Sequence, residues 1–266
     1  DCTFSWVFLG AVTVITPMRD GARFIETAIV SVQAQDLGDW EHLIVDDGSV
    51  DDGPARVRAA AACDPRIRLL HSPGGPLGPA AARNVAIRQA KGRFIAFLDC
   101  DDAWAPDKLS AQIAAMQRSG AVFSWTGFEV VDADGRRIRR QRVPAAGTVA
   151  DLLDRRLVIG CLTAVYDRGR LGRMYMDRGD QPEDFCLWLD ILARAAEQGL
   201  PVLGLDRPLS TYRVHRAGRS ARKARAAMAY WRACRQHAGL SRRHAARHFL
   251  FYAWRSLTAR SRRIRD

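Results

Sequence analysis

The chain lacks several things, and each lack removes a class of protein. No apolar run approaches the eighteen or so residues of a membrane-spanning helix. The longest stretch, Phe4 to Thr16, has no Arg- or Lys-rich start and no cleavage site, so neither an anchor nor a secretory leader is expected. Its second half reads as a first strand. The cysteines (Cys2, Cys63, Cys100, Cys161, Cys186 and Cys234) show no C-x-x-C spacing. That argues against a zinc site and a disulfide framework and makes a reducing cytosol the default. No G-x-G-x-x-G turn follows the first strand, which weighs against an ordinary dinucleotide fold, and no internal repeat is visible. Acids are nearly missing from the end of the chain. Residues 207–266 hold seventeen Arg or Lys against one acid, Asp266, whereas 1–206 hold 24 bases and 28 acids. The net charge of +12 therefore belongs to the tail, and it points to an anionic partner, either a membrane surface or nucleic acid.

With 266 residues, nearly half of them apolar, the chain is long enough for one large domain, or one domain with an appendage, around a substantial core. Its organising stretch is Phe94-Ile95-Ala96-Phe97-Leu98-Asp99-Cys100-Asp101-Asp102. A short apolar run that meets three carboxylates reads as a buried parallel strand with charge at its carboxyl end. Ligands of open α/β sheets bind outside those strand ends. Hard carboxylate oxygens there suit Mg²⁺ or Mn²⁺, and hence a diphosphate. An acidic turn closing a strand explains the same residues without a ligand.

The preceding residues favour the ligand. Val12-Thr13-Val14-Ile15-Thr16-Pro17 is a strand, and Phe24, Ala28 and Val32, with Ile25 and Ile29, follow at helical spacing. Glu41 to Val45 is a second strand ending in Asp46-Asp47-Gly48-Ser49, with a helix starting near Asp51-Asp52. Arg66 to His71 is a third strand, the Gly/Pro-rich loop Ser72 to Pro79 follows, and Ala80 to Ala90 is a helix. The alternation of strand and helix predicts a doubly wound parallel sheet. Two of its strands deliver acids to one edge.

Beyond Asp102, a helix is expected over Asp107 to Arg118, a strand over Ala121 to Val131 and a hairpin-type turn at Asp132-Ala133-Asp134-Gly135. The twelfth-position Glu of a calcium loop is missing from that turn. Arg136 to Thr148 reads as a mobile polar connection, Asp151 to Leu157 as a short helix and Ile159 to Tyr166 as a strand. Glu183-Asp184 opens a helix carrying Phe185, Leu187, Trp188, Ile191 and Leu192. Acids at a helix start favour the dipole; they also suit a base projecting from a rigid helix end. His42, His71, His237, His244 and His248 read as structural or exposed. Trp104 and Trp188 read as core or cleft wall, and Cys100 as a small filler.

Taken together, these segments resemble a family 2 glycosyltransferase of the GT-A fold over roughly residues 11 to 220. The likeness rests on the opening strand, on Ser31-Val32-Gln33-Ala34-Gln35 and on Val45-Asp46-Asp47-Gly48-Ser49. It continues in Ala81-Ala82-Arg83-Asn84 with Ala90-Lys91-Gly92, in Asp99-Cys100-Asp101-Asp102 as a DXD motif and in Glu183-Asp184. Trp188-Leu189, Pro208 to His215 and Ser220 bring it nearer to bacterial enzymes of O-antigen, capsule or teichuronic polysaccharide synthesis. The resemblance implies an α/β, Rossmann-like, mostly parallel sheet flanked by helices. The catalytic domain would span 1–220, and 221–266 would form a basic helical extension.

For mechanism, the resemblance implies an inverting transfer from a nucleotide sugar, UDP-linked by expectation, with Mn²⁺ or Mg²⁺. Asp101 would hold the metal, with Asp99 between metal and ribose. Asp46 or Asp47 would hold base and ribose, and the Pro17 to Asp20 loop would close over them. Arg83 would face the diphosphate or pair with nearby acids. Arg213 and His215 would cover the pyrophosphate or metal. Asp184 would be the general base, with Glu183 orienting the loop or standing in as base.

In the tail, Ala221 to His237 and Ser241 to Arg262 read as two helices joined near Gly239. Packing is favoured for the first, through Met228, Trp231 and Cys234. Membrane contact is suspected for the second, whose aromatics oppose arginines. That would bring a cytoplasmic enzyme to a polyprenyl-diphosphate-linked saccharide acceptor at the inner face of the membrane. Nucleic acid is not expected as a partner, because no binding motif is present and the front half is acidic. The rivals are a sugar-phosphate nucleotidyltransferase, for which Thr16 to Gly21 is a poor loop, and an inactive membrane-bound nucleotide-binding protein.

Overall fold

The computed structural model describes residues 12–177, 179, 182–214 and 223–261. His215 and Ser220 lie outside the described residues. Strand β1 (Val12–Met18) is buried along its whole length, between β2 (Trp40–Asp46) and β4 (Phe94–Phe97). Both neighbours run parallel to it, Ile15 facing Leu43 on one side and Phe97 on the other, and β3 (Ile67–His71) extends the sheet beyond β2. Burial on both faces explains why these strands read as apolar runs without clean alternation. The alternation lies in the partners. Ile15, Ile95 and Phe97 join a core with α3 (Pro79–Gln89), whereas Val14, Phe94 and Ala96 join a second core with α1 (Ile25–Gln33) and Val57 of α2 (Gly53–Cys63). Strand order reverses at β1, so the carboxyl ends of β1, β2 and β4 share one crevice.

The second half continues the same sheet. Strand β5 (Ala103–Trp104) and α4 (Lys108–Ser119) lead into β6 (Phe123–Val131), and β6 pairs in parallel with β9 (Val202–Arg213). The residues 136–148, expected to be mobile, contain β7 (Arg137–Gln141), antiparallel to β6. Its arginines mask the strand pattern, and acids fix them: Arg137 pairs with Glu129, and Arg140 with Asp206. Helix α5 (Val149–Leu153) is shorter than expected, opened by a reciprocal Thr148–Asp151 capping box. Ile159 to Tyr166 is not one strand. A 3₁₀ turn at Cys161–Thr163, closed on the Gly160 carbonyl, precedes β8 (Val165–Asp167), which runs antiparallel to β4. The residues are apolar because they are buried, not because they are extended. Short α6 (Arg168–Leu171) follows, then α7 (Glu183–Glu197) on the α3 side.

The tail forms α8 (Lys223–Arg232), a π-helical turn at Ala233–His237 and α9 (Arg242–Ser261). Gly239, at φ 62°, supplies the left-handed link between them. Both helices pack on the body of the fold, the first, with its π-helical turn, through Trp231 and Cys234 but not Met228, which is exposed. The Tyr230 hydroxyl donates to the Leu153 carbonyl, His248 meets Asp154 at 2.6 Å and His237 meets Asp190 at 2.8 Å. Phe249 and Tyr252 of α9 pack on the core, while Leu250 is exposed. Among the described residues no helix is long and apolar enough to cross a membrane.

Lys108 is fully buried beside the second core, the one shared by Trp104 and α4. Its ammonium nitrogen lies 3.8 Å from the centre of the Trp104 ring and has no hydrogen-bond acceptor among the described residues. Burial holds its pKa well below the usual lysine range. Lys108→Met keeps the volume and removes the unpaired amine, so the protein should gain about 1–3 kcal/mol. The unfolded lysine binds a proton that the folded one excludes, so the gain should be larger at pH 6 than at pH 10 in thermal melts.

Candidate active site

Three loops meet at the crevice, and the acids of the sequence divide there into two groups. The first group holds the loops together. Asp47 is buried, and its carboxylate accepts the Leu77 and Gly78 N–H groups at 3.0 and 2.8 Å, drawing the Gly/Pro-rich loop against β2. Gly48, at φ 80°, passes so close to Pro76 that a Cβ would lie 3.2 Å from its ring. Asp46 accepts from the Ser49 N–H at 3.0 Å and faces His71 at 3.4 Å. Pro17 is buried within β1. Asp20, exposed and left-handed at φ 51°, accepts from the Val50 N–H, while Asp51 accepts from Ala22. The Pro17–Asp20 loop is thereby latched to the loop after β2.

The second group lines the opening. Arg83 on α3 is almost fully buried, yet its guanidinium binds Asp99 at the end of β4 and Glu183 of α7, the latter at 3.4 Å. Burial opposes the charge, and the Asp99 and Glu183 carboxylates outweigh it, so the guanidinium stays protonated. Asn84 beside it exchanges two 2.8 Å hydrogen bonds with the Met176 backbone, fixing the segment that leads to α7. Arg83 thus sits in an ion pair with nearby acids, one of the two placements expected for it.

Asp102 is buried. One carboxylate oxygen accepts the Arg213 N–H at 2.9 Å, and the other has no partner among the described residues. Burial, then the charges of Asp99 and Asp101, push its pKa well up. The Arg213 side chain spans the crevice to the carbonyls of Asp101 and Ala133, both at 3.2 Å, with its guanidinium over Phe24. Burial pushes the Cys100 thiol up, so it is a filler between acids and not a thiolate. Among the described residues no three His, Cys, Asp or Glu side chains form a ready-made metal cage. Mg²⁺-type ions need only one or two carboxylates when phosphates complete the shell. The part-exposed Asp99 and Asp101, above an unsatisfied Asp102 oxygen, fit an ion held in that way.

Asp184 is half-buried in the first turn of α7, its carboxylate accepting the Phe185 N–H at 2.8 Å. Burial pushes its pKa up to about 6; the Glu183 charge adds to this and Arg83 opposes it. Beside it opens a cavity of about 190 Å³, lined by Phe185 and Trp188 of α7 and by Tyr230 and Tyr252 of the tail. The arrangement therefore offers a phosphate- and metal-compatible acidic side, a half-buried carboxylate poised near neutrality, and an adjoining pocket.

A family profile, glycosyl transferase family 2, matches residues 13–176, from the first strand through the acids of β4 to Met176. The chain belongs to that family. A Bacillus subtilis protein named for teichuronic acid biosynthesis, the glycosyltransferase TuaG, is 34% identical over 83% of this chain and 85% of its own length. An Escherichia coli protein, UDP-Glc:alpha-D-GlcNAc-diphosphoundecaprenol beta-1,3-glucosyltransferase WfgD, is 33% identical over 83% of each chain. In fold, the chain is similar to Staphylococcus aureus TarS residues 1–349 solved with UDP-GlcNAc. The TM-score is 0.67 at 17% identity, over 90% of this chain and 70% of that one. Neither the nucleotidyltransferase nor the inactive-scaffold alternative finds support among these relatives.

Tyr230, the placement of the tail aromatics beside Asp184 and the Asn84 clamp escaped sequence reasoning. The doublet Arg83-Asn84 was visible, but not that both side chains would be buried. Removing Arg83 leaves Asp99 and Glu183 facing each other across the crevice without their cation. Arg83→Met should cost about 3 kcal/mol in denaturant unfolding. Arg83→Lys should recover only part of it, because a lysine cannot fork to two carboxylates.

Proposed function

We propose that this transferase moves a sugar from a UDP-sugar to a hydroxyl of a lipid-diphosphate-linked saccharide, with inversion, during surface polysaccharide synthesis. The observation that carries the reading is Asp184, a half-buried carboxylate with a pKa near 6 at a rigid helix end beside an open cavity. The names of the Bacillus subtilis and Escherichia coli relatives supply the chemical classes of donor, acceptor and product.

In this reading Asp184 accepts the proton of the acceptor hydroxyl as its oxygen attacks the anomeric carbon. The bond from that carbon to the diphosphate oxygen breaks in the same displacement, the electron pair leaves with UDP, and the configuration inverts. Asp99 and Asp101 would hold Mn²⁺ or Mg²⁺, which supplies positive charge against the charge that grows on the leaving diphosphate. Glu183 holds Arg83, and Arg83 holds Asp99, so the base and the acids of β4 keep a fixed separation. Asp46 and Asp47 shape the nucleotide side by fixing its loops. Arg213 ends β9 within reach of the Asp101 carbonyl, where a bound diphosphate would compete for it. In this reading residues 1–220 are the catalytic unit and 221–266 its extension, whose described helices pack on that unit, and the enzyme works at the cytoplasmic face of the membrane.

The test is transfer from UDP-glucose to GlcNAc-α-diphosphoundecaprenol in detergent, with NMR of the product anomer. A β linkage from the α donor is expected; an α linkage would refute the single displacement. Asp184→Asn should lower the rate by about 10²–10⁴-fold and leave the Kd for UDP within about twofold. Asp101→Asn should weaken metal-supported UDP binding at least about tenfold, since Asp101 would hold the ion that supplies positive charge to the diphosphate. The base works deprotonated, so kcat should fall about tenfold per pH unit below the Asp184 pKa and level off above it. At pH 7.5 Asp184→Asn should also raise the melting temperature. The native carboxyl holds its proton more tightly than the unfolded one, so its ionisation costs stability as pH rises through 4 to 6.

A further inference from the structure

We infer that the cavity beside Asp184 seats the sugar ring of the acceptor, and that Trp188 and the tail tyrosines are its specificity-determining residues. The inference rests on the reading of Asp184 as the base. It assigns a role to the C-terminal helices other than membrane contact.

Four observations meet there. The cavity, at about 190 Å³, is smaller than the sites that hold drug-sized ligands, and so fits a single ring. Its walls are aromatic and come from two parts of the chain. Trp188 and Phe185 stand on α7, and Tyr230 stacks on Tyr252 with ring centres 4.5 Å apart. The Trp188 Nε1–H is buried and has no acceptor among the described residues. A buried donor of this kind costs stability until an acceptor reaches it. Arg155, at the rim, is held in the left-handed region at φ 54° with its guanidinium 5.3 Å from the Tyr252 ring centre. Strain of this sort in a non-glycine residue marks positions that the surrounding structure over-determines, often at binding sites.

The chemistry selects the ligand. A prenyl chain would fill the aromatic walls and leave the Trp188 N–H unmet. A pyranose satisfies both, because its C–H faces lie on aromatic rings while its hydroxyls accept from an indole and donate to a carboxylate. Asp184 lines the same cavity, so a ring seated there presents a hydroxyl to it. The Tyr230 hydroxyl is committed to the Leu153 carbonyl, which fixes one wall whether or not ligand is present.

The test uses ¹⁵N-labelled full-length protein saturated with UDP and Mg²⁺, reading the indole N–H resonances. Trp188→Phe assigns the Trp188 signal. Methyl glycosides of glucose, galactose, mannose, rhamnose and the two common N-acetylhexosamines are then titrated, with farnesyl diphosphate as the sugar-free probe. At least one glycoside should shift the Trp188 resonance saturably. Tyr252→Ala should weaken that glycoside at least fivefold and leave the UDP affinity within twofold. This second variant carries the test if Trp188→Phe does not fold. Three outcomes would overturn the inference: no glycoside moves the resonance, farnesyl diphosphate moves it as strongly, or Tyr252→Ala weakens UDP and glycoside alike. Failure of UDP itself to bind would instead remove the UDP-sugar donor proposed above, on which the inference rests.

Discussion

The bridge from Asp99 through Arg83 to Glu183 is the constraint on which the crevice depends. The two carboxylates come from segments more than eighty residues apart, and the guanidinium between them is almost fully buried. A buried cation needs its partners. Each acid is therefore held where the cation can reach it, and the spacing between the acid-bearing strand end and the start of α7 follows. Asn84, next in sequence, reinforces that spacing by clamping the backbone at Met176. The two adjacent residues of α3 fix both sides of the site.

Around this bridge the remaining acids divide the work by burial. Asp46, Asp47 and Asp51 accept backbone N–H groups and tie the loops after β1 and β2 and the Gly/Pro-rich loop to one another. Asp102 braces Arg213 from beneath. Asp101, with Asp99 of the bridge, stands part-exposed at the end of β4. Asp184 sits across the bridge, desolvated enough to raise its pKa to about 6. An acid that fixes a loop is spent on the backbone, whereas an acid that works on a ligand must remain open.

The central sheet was legible because buried parallel strands are apolar on both faces, and the acids after β2 and β4 marked its working edge. Strand β7 was not legible, since an edge strand of arginines neutralised by Glu129 and Asp206 has the composition of a loop. The stretch Ile159 to Tyr166 misled in the opposite direction, because a short apolar run does not distinguish a strand from a buried turn. At the site, residue types and order could be read, but not the partners. Whether Arg83 faced a diphosphate or two acids depended on where α7 would lie. The aromatic side of the tail was also visible. What covers it was not, because Leu153, Asp154 and Arg155 lie far away in sequence and reach it only through the fold.

The most direct test of the Arg83 bridge is a double-mutant cycle on Asp99 and Glu183, measured by chemical denaturation. These two acids are coupled through the buried guanidinium. Asp99→Asn or Glu183→Gln alone leaves Arg83 one carboxylate, whereas the double variant leaves it none. The account predicts that the double variant loses at least about 1 kcal/mol more than the sum of the single losses, within the range seen for residues sharing one ion-pair network. Additive losses would show that the two sides of the crevice are held independently, and would contradict it.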